Sequence, residues 1–193
     1  LFWMKKMMKA YVGADYERGL DMLKAQVEND EVPSKLEFIG NKTFEGCKWI
    51  GIKTNCLIET VGPQMQADFG VLRSFASDNK ELTEGQVMTI YHKWDIPNGK
   101  ISYTAALHVK DFPEELHHPM IKGEIPQLDT YVLRHIGRYH HLGNAWSTLY
   151  NMLRNKELKT IRKVPPFELY LNNPENTEEK DLITDVYIPI KRH

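Results

Sequence analysis

Apolar and polar residues alternate with a period of two along Val164–Pro174 and again along Leu182–Ile190, and β-branched and aromatic residues dominate both runs. Both stretches therefore read as strands, with the acidic segment between them as a turn. The period places Phe167, Leu169 and Leu171 on one face of the first strand and Glu168 with Tyr170 on the other. A carboxylate thus shares a face with a large aromatic in mid-strand. If that face is covered, Glu168 must be paired, neutralised or offered to a ligand. If it is solvated, Glu168 is an ordinary polar position.

Upstream, residues 1–30 carry apolar residues at three- and four-residue spacing (Phe2, Trp3, Met7, Met8, Tyr11, Tyr16, Leu20, Leu23, Val27), a helical pattern expected to break at Gly13-Ala14-Asp15, with Asp15 capping a second helix. That stripe has to be covered by this domain, a second copy of the chain or a preceding domain. A linker, Glu28–Ser34, leads into a strand region from Leu36 to Ile58, where Gly46 and Gly51 mark bulges or close approaches. A helix follows from Pro63 to Ala76, with Met65, Phe69, Leu72 and Phe75 inward. Strands Gln86–Trp94 and Ile101–Val109 flank a turn containing Asn98-Gly99. Asp111–Gln127 is predicted to be a loop, Thr130–Tyr139 a strand and His141–Arg154 a helix, before the two strands described first.

The order strand, helix, strand, strand therefore occurs twice, about 80 residues apart. Superposing the halves sets Tyr91 on Tyr170 and Thr89 on Glu168. The expected fold is α+β: duplicated βαββ halves about a pseudo-twofold axis, one antiparallel sheet with two helices on one side, and a central ligand cleft. The domains are residues 1–34, a helical segment, and 35–193, the ligand-binding domain.

Composition narrows the function. The chain has 193 residues, 41% apolar and 26% charged, with net charge −1. Nothing in that balance attracts nucleic acid or an anionic membrane, and no apolar run approaches the roughly 18 residues of a membrane span. A cytoplasmic protein is expected. The opening at Leu1 does not follow the order of a signal peptide, so the first residues are expected to be the trimmed edge of something longer. Cys47 and Cys56 have no metal spacing, and the pairs His117-His118 and His140-His141 diverge on either strand or helix, so neither a metal nor a cofactor is expected.

Two resemblances extend this reading. Met8–Lys24 is similar to the C-terminal helix of START-like domains, which implies a START-like domain before Leu1; an N-terminal helix that docks on the domain or makes a dimer contact is the alternative. Tyr131–Tyr139 leading into Ala145-Trp146, Pro166–Pro174 and Thr184–Ile190, with Ile90-Tyr91-His92 and the Ile101–Val109 strand in the first half, resemble the GyrI-like small-molecule-binding domain, the effector-binding domain of bacterial transcription activators, over roughly residues 35–191. The resemblance implies a pocket of aromatic residues around Glu168 that receives organic, often cationic, aromatic compounds. Tyr91, Tyr103, Trp146 and Tyr170 are the candidate orienting and stacking groups, each of which also fits a purely core-packing role. His92 and Trp94 are candidates for the rim.

Three functions follow. The first is a sensor or sequestering protein for hydrophobic or cationic small molecules, with Glu168 as counter-charge. The second, implied by another branch of the family, is a hydrolase of strained cyclopropane-bearing genotoxins, with Glu168 as general base. The third is inhibition of a partner such as DNA gyrase. Residues 1–34 supply at most two helices without a basic face, so direct nucleic-acid contact by this chain is not expected.

Overall fold

In a computed structural model of the chain, residues 2–29 and 33–191 are described. The elements run α1 (Phe2–Asn29), β1 (Ser34–Phe44), β2 (Cys47–Leu57), α2 (Val61–Asp78), β3 (Thr83–Asp95), β4 (Lys100–Val109), β5 (Met120–Ile125), β6 (Leu128–Gly137), α3 (Gly143–Arg154), β7 (Phe167–Tyr170) and β8 (Ile183–Pro189). Single helical turns sit at Ile96–Asn98 and Tyr139–His141. The eight strands form one antiparallel sheet in the order β1-β6-β8-β7-β3-β4-β2-β5. At its centre the order β2-β4-β3 is mirrored by β6-β8-β7, and β3 and β7 pair with each other.

Alternation in the strands builds two cores, one on each side. Ile50, Ile52, Tyr91, Tyr103, Leu107, Val186 and Ile188 meet the inward stripes of α2 (Leu72) and α3 (Ala145, Trp146, Leu149). Trp49, Met88, Ile90, Val132, Phe167, Leu169 and Tyr187 fill the opposite face. Glu168 and Phe167 therefore stand on opposite faces, as the period of two requires.

The second core is closed by curvature. Only Glu45 and Gly46 separate β1 from β2, yet six strand spacings lie between them in the sheet order. Laid flat, that is about 29 Å at 4.8 Å per strand, whereas the three-residue step from Phe44 to Cys47 reaches only about 10 Å. The sheet must curl, and Phe44 arrives edge-on against Phe167 and Tyr187, with ring centres at 4.9 and 5.7 Å. Gly46 permits the turn: its φ is +85°, and a Cβ there would lie 2.9 Å from the Ile125 carbonyl oxygen.

Three expectations change, and a fourth falls partly outside the described residues. α1 is continuous through Gly13 and Asp15. Its described apolar residues Tyr16, Leu20, Leu23 and Val27 are exposed, so this domain does not cover that part of the stripe; Arg18, Asp21 and Met22 make contacts to the α3 region. The linker expected over Glu28–Ser34 includes residues outside the described set. The region Leu36–Ile58 is a hairpin of two strands, and the expected loop Asp111–Gln127 contains edge strand β5, paired with β2. Gly51 is a close-approach point as expected, because an added Cβ would sit 2.5 Å from the Ala105 carbonyl oxygen. Gly51→Ala should cost about 1–3 kcal/mol through overpacking between β2 and β4, measurable by chemical denaturation; an unchanged midpoint would contradict this packing.

Candidate functional site: a buried carboxylate in an aromatic cage

The site grows from the pairing of β3 and β7. Glu168 lies directly opposite Thr89, and its other neighbour across the sheet is Val186 on β8, so its side chain rises from the middle of the sheet toward the helices. Two residues along each of these antiparallel strands stand Tyr91 and Tyr170, on the same face but to opposite sides of the Thr89–Glu168 pair. α3 lays Trp146 over them. Tyr91 Oη donates to Glu168 Oε2 at 2.8 Å, Tyr170 Oη donates to the same oxygen at 2.8 Å, and Trp146 Nε1 donates to Oε1 in a short hydrogen bond. Thr89 Oγ1 lies 2.8 Å from Tyr170 Oη. Because the Tyr170 proton is committed to Glu168, Thr89 is the donor, and the hydroxyls form a relay that ends on the carboxylate.

Burial is complete: Glu168 is 0% exposed, Tyr91 7% and Trp146 8%. Removal from water lifts the Glu168 carboxyl above its ordinary value, although the indole and the two phenols pull it back down. The phenols of Tyr91 and Tyr170 are held well above their ordinary values, first by burial and then by the neighbouring carboxylate, so both remain donors throughout the neutral range. Tyr139, whose ring meets that of Tyr170 edge-on at 5.6 Å, is pushed up to about 12, mainly by burial and further by the charge of Glu168.

Among the described residues no cation pairs with Glu168. Buried Asp185 differs: Arg134 forks onto it, Nε to Oδ1 at 2.7 Å and Nη2 to Oδ2 at 3.0 Å. A desolvated carboxylate surrounded by neutral donors and ring faces is arranged to meet a positive group from outside, since rings and carboxylate attract it together.

Of the residues expected at the site, Glu168, Tyr91, Trp146 and Tyr170 come together. Tyr103 does not join them. It lies opposite Tyr91 on β4, but its hydroxyl donates to Asp68 Oδ2 at 2.8 Å, beside Thr54 Oγ1 on the same oxygen at 2.8 Å and Gln64 Nε2 on Oδ1 at 3.1 Å. That third buried carboxylate fastens α2 to β2 and β4. His92 also turns aside, to Thr104. Trp94, expected at the rim, packs on Tyr91 with ring centres 5.5 Å apart. The sequence reading missed Tyr139, Tyr150, which stacks on Trp146 at 5.8 Å, and the part Phe69 plays beside Tyr170 at 5.7 Å.

Elsewhere, a cavity of about 450 Å³ opens on the opposite face by the β1–β2 turn, between Lys42, Phe44, Lys110 and Tyr187. None of the groups that bind Glu168 lines it, and lysines and glutamates line it together (Lys42, Lys48, Lys110, Glu45 and Glu84). Among the described residues no group of three or more potential ligands is placed to hold a metal, and no helix is long and apolar enough to cross a membrane.

Trp146→Phe tests the cage. It keeps the ring and removes the N–H, leaving Oε1 without a donor in a dry site, which should cost about 2 kcal/mol and lower the melting temperature by roughly 4–8 °C. An unchanged melting temperature would mean that Oε1 is satisfied by water.

An eight-stranded antiparallel sheet with helices packed on one face defines the class, an α+β domain, and the buried carboxylate in its aromatic cage lies at the centre of that sheet. Family comparison makes the assignment specific. The profile of the GyrI-like small molecule binding domain matches residues 41–191, and the chain belongs to that family. A search of curated proteins finds no significant match. Among solved structures, the chain is similar to EcmrR in its complex with DNA (16% identity, covering 98% of this chain and 70% of that one, TM-score 0.67) and to the separate EcmrR C-terminal domain (17%, 83% and 99%, TM-score 0.61). It is also similar to SAV2435 bound to tetraphenylphosphonium (15%, 80% and 94%, TM-score 0.61). At these identities the likeness is one of fold.

Proposed function

We propose that the chain binds hydrophobic organic cations at the aromatic cage, with Glu168 as their counter-charge and Tyr91, Trp146 and Tyr170 as the rings and donors that orient them. The observation that carries this reading is a fully buried carboxylate whose partners are all neutral. A cation displacing one of those donors would gain a desolvated ion pair and ring faces at once. The binding of tetraphenylphosphonium by the similarly folded SAV2435 and the DNA complex of EcmrR support a sensor role within transcriptional regulation. Use of Glu168 as a general base against strained electrophiles is less well served, because Oε2 accepts two hydrogen bonds and Oε1 a third, and each of these bonds stabilises the carboxylate and weakens it as a base.

A thermal-shift screen of the wild type and Glu168→Gln, with mass spectrometry of the mixtures, separates these readings. Stabilisation by cationic aromatic compounds that is lost in the variant, with every compound recovered unchanged, is expected. Recovery of a strained electrophile with one added water, only with the wild type, would replace binding by hydrolysis.

A further inference from the structure

The three rings that donate to Glu168 each carry a second ring. Trp94 packs on Tyr91 at 5.5 Å, Tyr139 on Tyr170 at 5.6 Å and Tyr150 on Trp146 at 5.8 Å. These outer rings come from three places: the end of β3, the turn before α3 and α3 itself. They are 36%, 38% and 47% exposed, against 7% for Tyr91 and 8% for Trp146. Outside α1, the exposed aromatic rings among the described residues are Phe38, Trp94, Tyr139 and Tyr150, so three of the four stand on this one cluster. Large rings gain by burial, and gathering three at the surface over a buried negative charge runs against that gain unless they meet a ligand.

The inner rings also pose a problem of access. Glu168 is wholly enclosed, so a cation reaches it only after an inner ring gives way. We infer that Trp94, Tyr139 and Tyr150 form an outer binding tier, an aromatic subsite that captures organic cations at the surface before the inner cage opens to Glu168. The inference rests on the reading of Glu168 as counter-charge for the second step, but the outer tier binds by ring faces alone. Cation–π attraction at exposed rings is modest, about 0.5–1 kcal/mol each, which suits a weak and rapidly reversible first complex. Exchange of that complex for the desolvated pair with Glu168 is then a slower, unimolecular step.

Stopped-flow fluorescence with ethidium, an aromatic cation, tests the two tiers separately. The wild type should show a fast phase whose rate rises linearly with dye and a slow phase whose rate reaches a plateau. Combined replacement of Trp94, Tyr139 and Tyr150 by Leu should weaken the fast complex at least tenfold, and each single replacement about twofold to fivefold. These side chains are partly exposed, and unchanged far-ultraviolet circular dichroism with cooperative thermal unfolding would confirm that the fold is kept. Glu168→Gln should leave the fast phase in place and abolish the slow one. A fast phase unaltered in the triple variant, or binding in a single phase, would overturn the outer tier. A fast phase that needs the three rings, with a slow phase that survives in Glu168→Gln, would leave the outer tier standing and overturn the role of Glu168. No ethidium signal in either phase would overturn both.

Discussion

Glu168→Gln is expected to lower the affinity for tetraphenylphosphonium about 100-fold, roughly 2.7 kcal/mol, while changing that for neutral compounds of similar shape less than threefold. The substitution keeps the side-chain volume and removes the charge. It also disturbs the cage, because an amide has one oxygen to accept hydrogen bonds, whereas Tyr91, Tyr170 and Trp146 offer three N–H or O–H groups to two carboxylate oxygens. One donor is then left facing the amide N–H. Removing an uncompensated buried charge acts in the other direction, so the stability of the free protein should change far less than its affinity. Isothermal titration of both proteins measures the first quantity and thermal unfolding the second. An equal loss for charged and neutral compounds would show that Glu168 supports the shape of the cage and not its preference for cations.

Arg134→Ala should have the largest effect on stability. Asp185 is 3% exposed, and the guanidinium of Arg134 supplies both of its close hydrogen bonds. Removing one member of such a pair leaves a buried charge without compensation, a loss of about 3–5 kcal/mol, or a fall of about 10 °C in melting temperature. Replacing both members, Arg134→Met with Asp185→Leu, should recover most of this loss, because the pair as a whole stabilises the fold little relative to apolar residues. Thermal unfolding of the single and double variants decides; a double variant as unstable as the single one would mean that the pair sets the β6–β8 register and does more than cancel charge.

The contrast between the two carboxylates also shows how far the sequence is legible. Glu168 and Tyr170 share a face because strands alternate, Tyr91 joins them because β3 pairs with β7 and sets Thr89 opposite Glu168, and Trp146 is at the centre of an inward helical stripe. Those four positions follow from local periodicity and one strand pairing. Tyr103 satisfies the same rule, since it faces Tyr91 across β3 and β4, and still belongs elsewhere. Alternation sets the face a side chain occupies, but its partner depends on which helix packs there, and α2 brings Asp68. One signal was available: Asp68 stands between Met65 and Leu72 on a stripe that is otherwise apolar, and a carboxylate there needs donors.

Two of the three outer rings escaped for a related reason, whereas Trp94 was expected at the rim. Tyr150 lies at an outward position of α3 and Tyr139 in the turn before it, so neither falls on a buried period, and their relation to Glu168 exists only once α3 crosses the sheet. β5 was hidden because Met120–Ile125 is a short edge strand in a run rich in Pro, His and Glu. In α1 the helical stretches on either side override Gly13 and Asp15, so a local breaker did not end the element. Conversely, the positions of Gly46 and Gly51 were readable in advance, because each marks a place where the backbone leaves no room for a side chain.

The most direct test of Glu168 as counter-charge is the number of protons released when tetraphenylphosphonium binds, obtained by titration calorimetry in buffers of different ionisation enthalpy between about pH 5 and 8. The ligand carries a permanent charge and no proton of its own, so any proton released comes from the protein. Burial raises the carboxyl of Glu168 in the free protein, and a bound cation lowers it again; affinity is therefore full above the raised value and lost as pH falls through it. Proton release that appears as pH falls toward the raised carboxyl value of the free protein, and that is absent in Glu168→Gln, is the predicted result. Binding of undiminished affinity as pH falls through the ordinary carboxylate range, with no proton released at any pH, would contradict it.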